Sequence, residues 1–270
     1  MHAIAPTATS GVRHWRPPSF STRFYPVWQR NLLVWRKLAI PSMLGNLADP
    51  MLYMLGFGYG LGRLMPEVVG GSYIAFLAAG TVCSSVMMSA SFESMYSAFS
   101  RMHVQRTWDG MLNAPLTLDD VVAGEIAWAA SKALLSGLAV LAVATALGLV
   151  PSWLALWAIP VMLLAGLAFA GLGLIMTALS PSYDFFMYYF TLCVTPMVLV
   201  SGVFFPSAEL PAAVQQVAGV LPLAHAVALV RPLMQGAVPD AIALHLAVLA
   251  AYAVAAFYAA LALARRRLLK

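Results

Sequence analysis

Three charged residues in apolar surroundings are the side chains with the greatest potential for chemistry in this chain. Lys132 follows Glu125 by seven residues, which is two helical turns and about 10 Å along a helix. A lysine at that depth is costly, so we expect it to face the protein interior and to find a carboxylate partner. Glu125 and Glu93 are the candidates. Such a pair suits a structural role, which we favour, or else a charged gate or a contact with a headgroup.

No catalytic or phosphate-binding motif accompanies these charges. The sequence has no GxxxxGK[ST] loop, no HExxH, no GxSxG and no cysteine and histidine cluster at metal-ligand spacing. Cys83 and Cys193 lie inside apolar runs, and His225 is not followed by a second histidine at such spacing. We therefore predict no enzyme, no metal site and no bound cofactor. Any uphill work needs energy from a partner chain or from an ion gradient.

The composition decides the fold class. The chain has 270 residues, of which 62% are hydrophobic and 9% charged, and its mean hydropathy is +0.85. Soluble domains are about 45–50% apolar and about 25% charged, so the sequence predicts an all-α, polytopic membrane protein. The pI of about 9.4 does not indicate nucleic-acid binding, because the cations flank the apolar runs.

Six apolar runs are long enough to cross a hydrocarbon core of about 30 Å. We predict spans near residues 42–62, 72–95, 121–148, 153–179, 184–205 and 241–264. Lysine and arginine are concentrated in the N-terminal segment, in the loop after the second span and in the C-terminal tail, which predicts that both termini are cytoplasmic. On the opposite side we find only Arg63 and Arg231.

The N-terminal region divides into two parts. Residues 1–21 are polar and proline-bearing, and we predict that they are disordered. Residues 22–40 place aromatic and apolar side chains on one helical face and cations on the other, which predicts a helix lying on the inner leaflet. A plain juxtamembrane stretch is the alternative. The residues expected at the membrane surface are Trp28, Arg30, Trp35 and Lys37.

Two connections between spans stand out. A short helix is predicted over residues 100–113, ended by Pro115, with Thr117 or Asp119 capping the third span. An aromatic residue and a methionine amid charge suit docking to another protein, and a solvated loop suits them equally. The side chains expected to face the cytoplasm are Arg101, Arg106, Trp108 and Met111.

Near the other end, prolines divide the apolar segment 201–236, so it cannot form one uninterrupted helix. Because unpaired backbone is not tolerated in lipid, this segment must be re-entrant or buried among helices. We expect Phe205 and Arg231 to lie at this outer end, where Arg231 either contacts an anionic headgroup or pairs with Glu209.

Three further features of the spans bear on function. Overlapping GxxxG spacing over residues 56–62 predicts close packing on another helix, of this chain or of a second copy. Asp49 precedes Pro50 inside the first span, where it caps freed backbone or contacts Arg36 or Lys37. Aromatic residues either form an interfacial belt or line a pathway for sugar rings and acyl chains. The candidates for pathway lining are Tyr53, Phe57, Tyr188 and Tyr189.

These motifs resemble those of the type 2 family of ABC exporter permeases. The resemblance rests on WQRNLLVWRK, LGNLADPMLY, QRTWDGMLNAPLTLDDVVAGE, ALSPSYDFFMYYFTL, SGVFFP, LPLAHAVALVRPLMQG and the closing RRRLL. It runs from about Trp28 to Lys270. Within the family, the chain resembles the nodulation-factor export permeases, which move lipo-chitooligosaccharide across the inner membrane.

The resemblance implies a homodimeric permease served by two copies of a separate ATP-binding subunit, which binds the ATP and magnesium. It implies that residues 100–113 form a coupling helix seated in a groove of that subunit. It also implies that residues 207–218 and 222–235 are paired re-entrant helices closing the exit. We keep two alternatives: a drug or antibiotic exporter of the same fold, and an ion-coupled secondary carrier.

Overall fold

The computed structural model describes residues 15–19, 21–64, 67–68 and 71–269. The chain is built from helices, with one short antiparallel pair between Glu67–Val68 and Gly71–Ser72. The predicted disorder of residues 1–14 lies outside the described residues. Residues 15–19 do make contacts, since the backbone N–H and hydroxyl of Ser19 both donate to Asp119. The disorder of the N-terminal segment stays a prediction.

Ten helices form the described part of the fold. Their bounds are α1 Phe24–Arg36, α2 Ala39–Gly60, α3 Tyr73–Val104, α4 Thr107–Leu112, α5 Leu118–Ala146, α6 Trp153–Leu179, α7 Phe185–Val200, α8 Ala212–Ala218, α9 Pro222–Gln235 and α10 Ile242–Leu268. Within α3, the segments Glu93–Ser97 and Ser100–Val104 are wider π turns. Single 3₁₀ turns occupy Leu61–Arg63 and Ser207–Glu209.

Among the residues that the structure describes, four helices are long and apolar enough to cross a membrane: α3, α5, α6 and α10. Taken together, α8 and α9 are also long and apolar enough, but they are bent by 86° relative to each other. If this bent pair is counted as one broken span, the described residues contain five spans. α7 is apolar and falls short of 18 residues, because Gly202 turns the chain with φ of +75°. The bend agrees with the prolines in the sequence. The six-span count stays a prediction.

The core is a helical bundle in which α3, α5, α6 and α10 pack side by side. Small residues bring the backbones together: a Cβ on Gly171 of α6 would lie 2.8 Å from Ala256 Cβ of α10. The predicted GxxxG packing is only partly seen: Gly58 faces Ile74, whereas a Cβ on Gly56 or Gly60 would meet no atom of the described residues within 4 Å.

The start of α5 is fixed by a capping box. The Thr117 side chain accepts from the Asp120 N–H at 3.3 Å, and the Asp120 carboxylate accepts from the Thr117 N–H at 2.9 Å. Thr117 was one of the two predicted caps, and that prediction is confirmed. Asp119, the other, contacts the C-terminal helix instead. The capping box fixes where α5 begins and therefore where Glu125 and Lys132 lie along the helix axis.

Candidate functional site

Four charged residues join α3 to α5, three of them buried and Lys132 half-buried, and we call Glu93, Arg101, Glu125 and Lys132 the charge cluster. Glu93 accepts from Lys132 Nζ at 2.8 Å and from Arg101 Nη1 at 2.9 Å. Arg101 also donates through Nε to Glu125 Oε1 at 2.9 Å. The predicted pairing of Lys132 with Glu93 is confirmed. Two cations facing two carboxylates make the cluster electrically neutral, which is what a buried set of charges requires.

The π turns of α3 explain how two of these residues meet. Glu93 and Arg101 are 8 residues apart, whereas two α-helical turns take about 7.2 residues. A π turn holds an additional residue, so both side chains come to one face. The carbonyl of Ser94, released from the regular ladder, accepts from Thr177 Oγ1 of α6 at 2.7 Å. α6 therefore stabilises the distorted turn that assembles the cluster.

Two indoles complete the hydrogen bonding of the cluster. Trp128 Nε1 donates to Glu93 Oε1 at 2.8 Å, and Trp108 Nε1 donates to Glu125 Oε1 at 3.1 Å. Both rings are about 1% exposed. Trp108 belongs to α4, so this short helix is hydrogen-bonded directly to a carboxylate inside the bundle.

This arrangement corrects two sequence predictions. Arg101 and Trp108 were expected to face the cytoplasm, and both are buried, because the carboxylates of Glu93 and Glu125 need donors. The single helix over 100–113 is also wrong. Arg106 adopts φ of 50° and separates the end of α3 from α4. Arg106 is exposed and Met111 half-buried, so these two remain candidates for a contact with another protein.

The N-terminal helix α1 forms as predicted, but its aromatic face meets protein. Trp28 Nε1 donates to Ser131 of α5 at 3.0 Å, and the Trp35 ring lies 5.8 Å from that of Trp128. Gly124 of α5 makes this close approach possible, since a Cβ there would lie 2.6 Å from Val27 Cβ. Both tryptophans are half-buried against α5, and their placement at the membrane surface stays a prediction.

The two predicted surface cations of α1 differ from each other. Lys37 is exposed, whereas Arg30 is half-buried and donates through Nη1 to Asn31 Oδ1 at 2.9 Å. Burial, and then the neighbouring Arg101, lower the pKa of the Arg30 guanidinium, and Glu125 partly opposes them. α1 is thus a polar neighbour of the charge cluster as well as a surface helix.

An aromatic cleft lies between α2, α3 and α7, with a volume of about 530 Å³. Tyr53 and Phe57 line it, and each ring contacts Phe204 edge-on, at 5.7 and 5.8 Å between centroids. Phe205 lines it as well. Tyr188 is exposed, Tyr189 is half-buried, and neither is among the lining residues. The four predicted aromatics therefore divide into two that share a cleft and two that point elsewhere.

A polar cleft of about 300 Å³ adjoins the aromatic one and shares Tyr53, Ser84 and Met88 with it. Its polar lining residues are Asn46, Asp49, Ser84, Ser85, Ser89 and Ser136. Asp49 is exposed in this cleft, and among the described residues it forms no ion pair. The expected contact with Arg36 or Lys37 is not formed. The cleft lined by hydroxyls and a carboxylate is therefore continuous with the cleft lined by aromatic rings.

At the end of the bundle opposite the charge cluster, Arg231 of α9 contacts α3 and the turn after α7. Its Nη2 donates to the carbonyl of Gly202 at 2.5 Å, and its guanidinium lies 3.6 Å from the centre of the Phe76 ring. The proposed pairing with Glu209 is not formed. His225, which lies six residues before Arg231, contacts His245 through Nδ1 at 2.7 Å, a pair that the sequence analysis missed because the two lie on different helices.

The arginines that end α10 were read only as membrane-edge cations, and two of them bind specific partners. Arg265 is about 1% exposed and donates through Nε and Nη2 to the Asp119 carboxylate at 3.1 and 2.6 Å. Arg267 donates to the carbonyls of Thr177 and Ala178, each at 2.9 Å, at the end of α6. The last helix is therefore attached to the same end of the bundle as the charge cluster.

Comparison with known proteins extends over nearly the whole chain. The family described as "ABC-2 type transporter" matches residues 22–234. The chain is 50% identical over 254 residues to "Nodulation protein J" of Rhizobium leguminosarum bv. viciae, covering 94% of this chain and 98% of that protein. It is 50% identical over 253 residues to the protein of that name in Bradyrhizobium diazoefficiens, covering 94% and 97%. "Inner membrane transport permease YadH" of Escherichia coli is 24% identical over 187 residues, covering 68% and 72%.

Proposed function

The chain belongs to the ABC-2 type transporter family, and from this membership we propose that it is the permease subunit of an ATP-driven exporter. A separate subunit hydrolyses ATP, and two copies of the permease form the pathway. In this proposal the chain lies in the inner membrane with both termini in the cytoplasm, which the clusters of lysine and arginine support. α2 and α7 complete the set of six spans at the contact with the second copy. α8 and α9 are the outer re-entrant pair, next to Phe205 and Arg231.

The cargo we propose is an amphipathic lipo-oligosaccharide. The observation that carries this proposal is the junction of the polar and aromatic clefts at Tyr53 and Ser84. Sugar hydroxyls are suited to the serines and to Asp49, and an acyl chain or an apolar sugar face is suited to Phe57 and Phe204. The relatives called nodulation protein J and the resemblance to nodulation-factor permeases support the same class.

Coupling to ATP hydrolysis is proposed to pass through α4. Its exposed side, with Arg106 beside it, is available to the ATP-binding subunit, while Trp108 holds the other side to Glu125. A displacement of α4 would therefore act directly on the charge cluster between α3 and α5. This refines the predicted coupling role of Arg101 and Trp108, which we now assign to transmission inside the bundle.

The cargo class is tested by ATP hydrolysis of the permease reconstituted with its ATP-binding subunit. We expect an acylated chitooligosaccharide to stimulate hydrolysis, and the same oligosaccharide without its acyl chain to stimulate it weakly. Stimulation by amphipathic drugs in place of the glycolipid would favour the drug-exporter alternative. A response to neither class would overturn the proposed cargo.

A further inference from the structure

A cavity of about 250 Å³ lies between α1, the start of α2, the end of α3 and α5. It is separate from the two clefts, because no lining residue is shared with them. The residues that matter here are Arg30, Asn31, Glu93, Arg101 and Lys132, all of which line it. The cavity thus places the N-terminal helix against the charge cluster with a space between them.

The charges around this cavity do not cancel. Arg30, Arg101 and Lys132 are three cations, and the carboxylates of Glu93 and Glu125 are two anions. Arg101 pairs with both carboxylates and Lys132 with Glu93. Among the residues that the structure describes, no carboxylate forms an ion pair with Arg30. Three positive against two negative charges leave one positive charge beside the cavity.

Asn31 supplies an unused donor at the same place. Its side chain is 3% exposed, and its Oδ1 accepts from Arg30 Nη1 at 2.9 Å, which leaves Nδ2 as the other end of the amide. Nδ2 is buried and has no acceptor in the described part of the chain. Buried donors are nearly always satisfied, so this one indicates an absent acceptor.

The rim of the cavity is apolar. Val34 and Leu38 line it and are 52% and 63% exposed. Side chains of this kind suit the first methylenes of an acyl chain, since Val34 of α1 and Leu38, which lies between α1 and α2, are next to the cationic end of the cavity. Burial already lowers the pKa of Arg30, so a neighbouring anion would offset that desolvation.

We propose that this cavity binds the phosphate group of an anionic membrane lipid, held by Arg30, Asn31 Nδ2 and Lys132. The inference goes beyond the exported cargo, and it relies only on α1 lying at the inner surface of the membrane. A bound lipid would hold α1 against Arg101, and through Glu125 it would steady Trp108 of α4. Anionic lipid is then a requirement for coupling, independent of what is exported.

The test uses the full-length chain, purified in a neutral detergent, and its melting temperature. Dioleoyl phosphatidylglycerol, dioleoyl phosphatidylcholine and sodium phosphate are added in separate titrations at constant ionic strength. Two variants are compared, Arg30→Gln and Arg36→Gln. They remove the same charge from the same helix, but Arg36 is exposed and does not line the cavity.

We expect phosphatidylglycerol to raise the melting temperature of the native chain and of Arg36→Gln, with about a tenfold higher concentration needed for Arg30→Gln. If phosphatidylglycerol raised the melting temperature of both variants at the same concentration, the proposal that the lipid binds in this cavity would be overturned. An equal effect of sodium phosphate alone would overturn the assignment to a lipid and leave a site for free phosphate. If Arg30→Gln does not fold, Asn31→Asp and the exposed control Asn113→Asp are compared by the same criterion.

Discussion

Trp108 Nε1 lies 3.1 Å from Glu125 Oε1, so a short helix in the loop after α3 donates to a carboxylate in the interior of the bundle. Glu125 in turn accepts from Arg101, and Arg101 reaches Glu93. The chain of contacts from α4 to Lys132 is therefore continuous. A rigid contact of this kind allows a displacement at the bundle surface to change how α3 packs on α5.

Removing the central cation tests the stability of the charge cluster. Arg101→Ala leaves the buried Glu93 with Lys132 as its cation and the buried Glu125 with no cation among the described residues, and we expect a loss of about 3–5 kcal/mol. Denaturant or thermal unfolding of the purified chain in detergent measures it. Arg106→Ala is the control, since Arg106 is exposed and we expect a change within about 0.5 kcal/mol. Equal effects would show that the cluster does not stabilise the fold.

The indole N–H of Trp108 is tested by Trp108→Phe, which keeps an aromatic ring and removes the donor. We expect a stability loss of about 1–3 kcal/mol, because Glu125 loses a partner, and cargo-stimulated ATP hydrolysis should fall while basal hydrolysis remains. Trp153→Phe is the matched change at a ring that is 72% exposed. Unchanged stimulation in Trp108→Phe would remove α4 from the coupling route.

The packing of α1 on α5 depends on the absence of a side chain at Gly124. In Gly124→Ala the new methyl would meet Val27 Cβ at 2.6 Å and the Phe24 carbonyl at 2.8 Å, so α1 must shift. We expect a cost of about 1–3 kcal/mol and faster tryptic cleavage within α1. Gly110→Ala, where the new methyl would meet no atom of the described residues within 4 Å, should be neutral or stabilising. Resistance to trypsin equal to that of the native chain would contradict this packing.

The aromatic cleft predicts which tyrosines and phenylalanines matter for cargo. Phe57→Ala removes a lining ring, and we expect the glycolipid concentration for half-maximal ATPase stimulation to rise about 3- to 10-fold. Tyr188→Ala should leave it unchanged, because Tyr188 does not line this cleft. A larger effect of Tyr188→Ala than of Phe57→Ala would indicate that the cargo binds at the exposed face of α7 that carries Tyr188, and not in the aromatic cleft.

The order and approximate bounds of the long helices could be predicted from the sequence, because each is a continuous apolar run that is bounded by polar, charged or proline residues. The spans over 72–95, 121–148 and 153–179 predict α3, α5 and α6 within a few residues at most ends. α3 continues nine residues further, to Val104, because its π turns bury Glu93 and Arg101 together. Periodicity alone does not reveal such turns, since they depend on the Thr177 hydroxyl of a distant helix.

The candidate site was predicted only where the partners lie at helical spacing or at matching ends of neighbouring spans. Lys132 and Glu93 were found in this way. Arg101 and Trp108 were assigned to the surface because a cation and an indole in a loop usually lie there, and only tertiary contacts show the carboxylates that draw them inward. The pairing of Arg265 with Asp119 joins residues 146 positions apart, which no local pattern indicates.

The most direct test of the central claim is transport by the purified chain in sealed lipid vesicles, with and without its ATP-binding subunit. Labelled glycolipid is supplied on one side, and its accumulation against a gradient is followed after ATP is added. We expect accumulation only when both proteins and ATP are present. Uphill transport by this chain alone, driven by an ion gradient, would contradict the claim that its work comes from a separate ATPase.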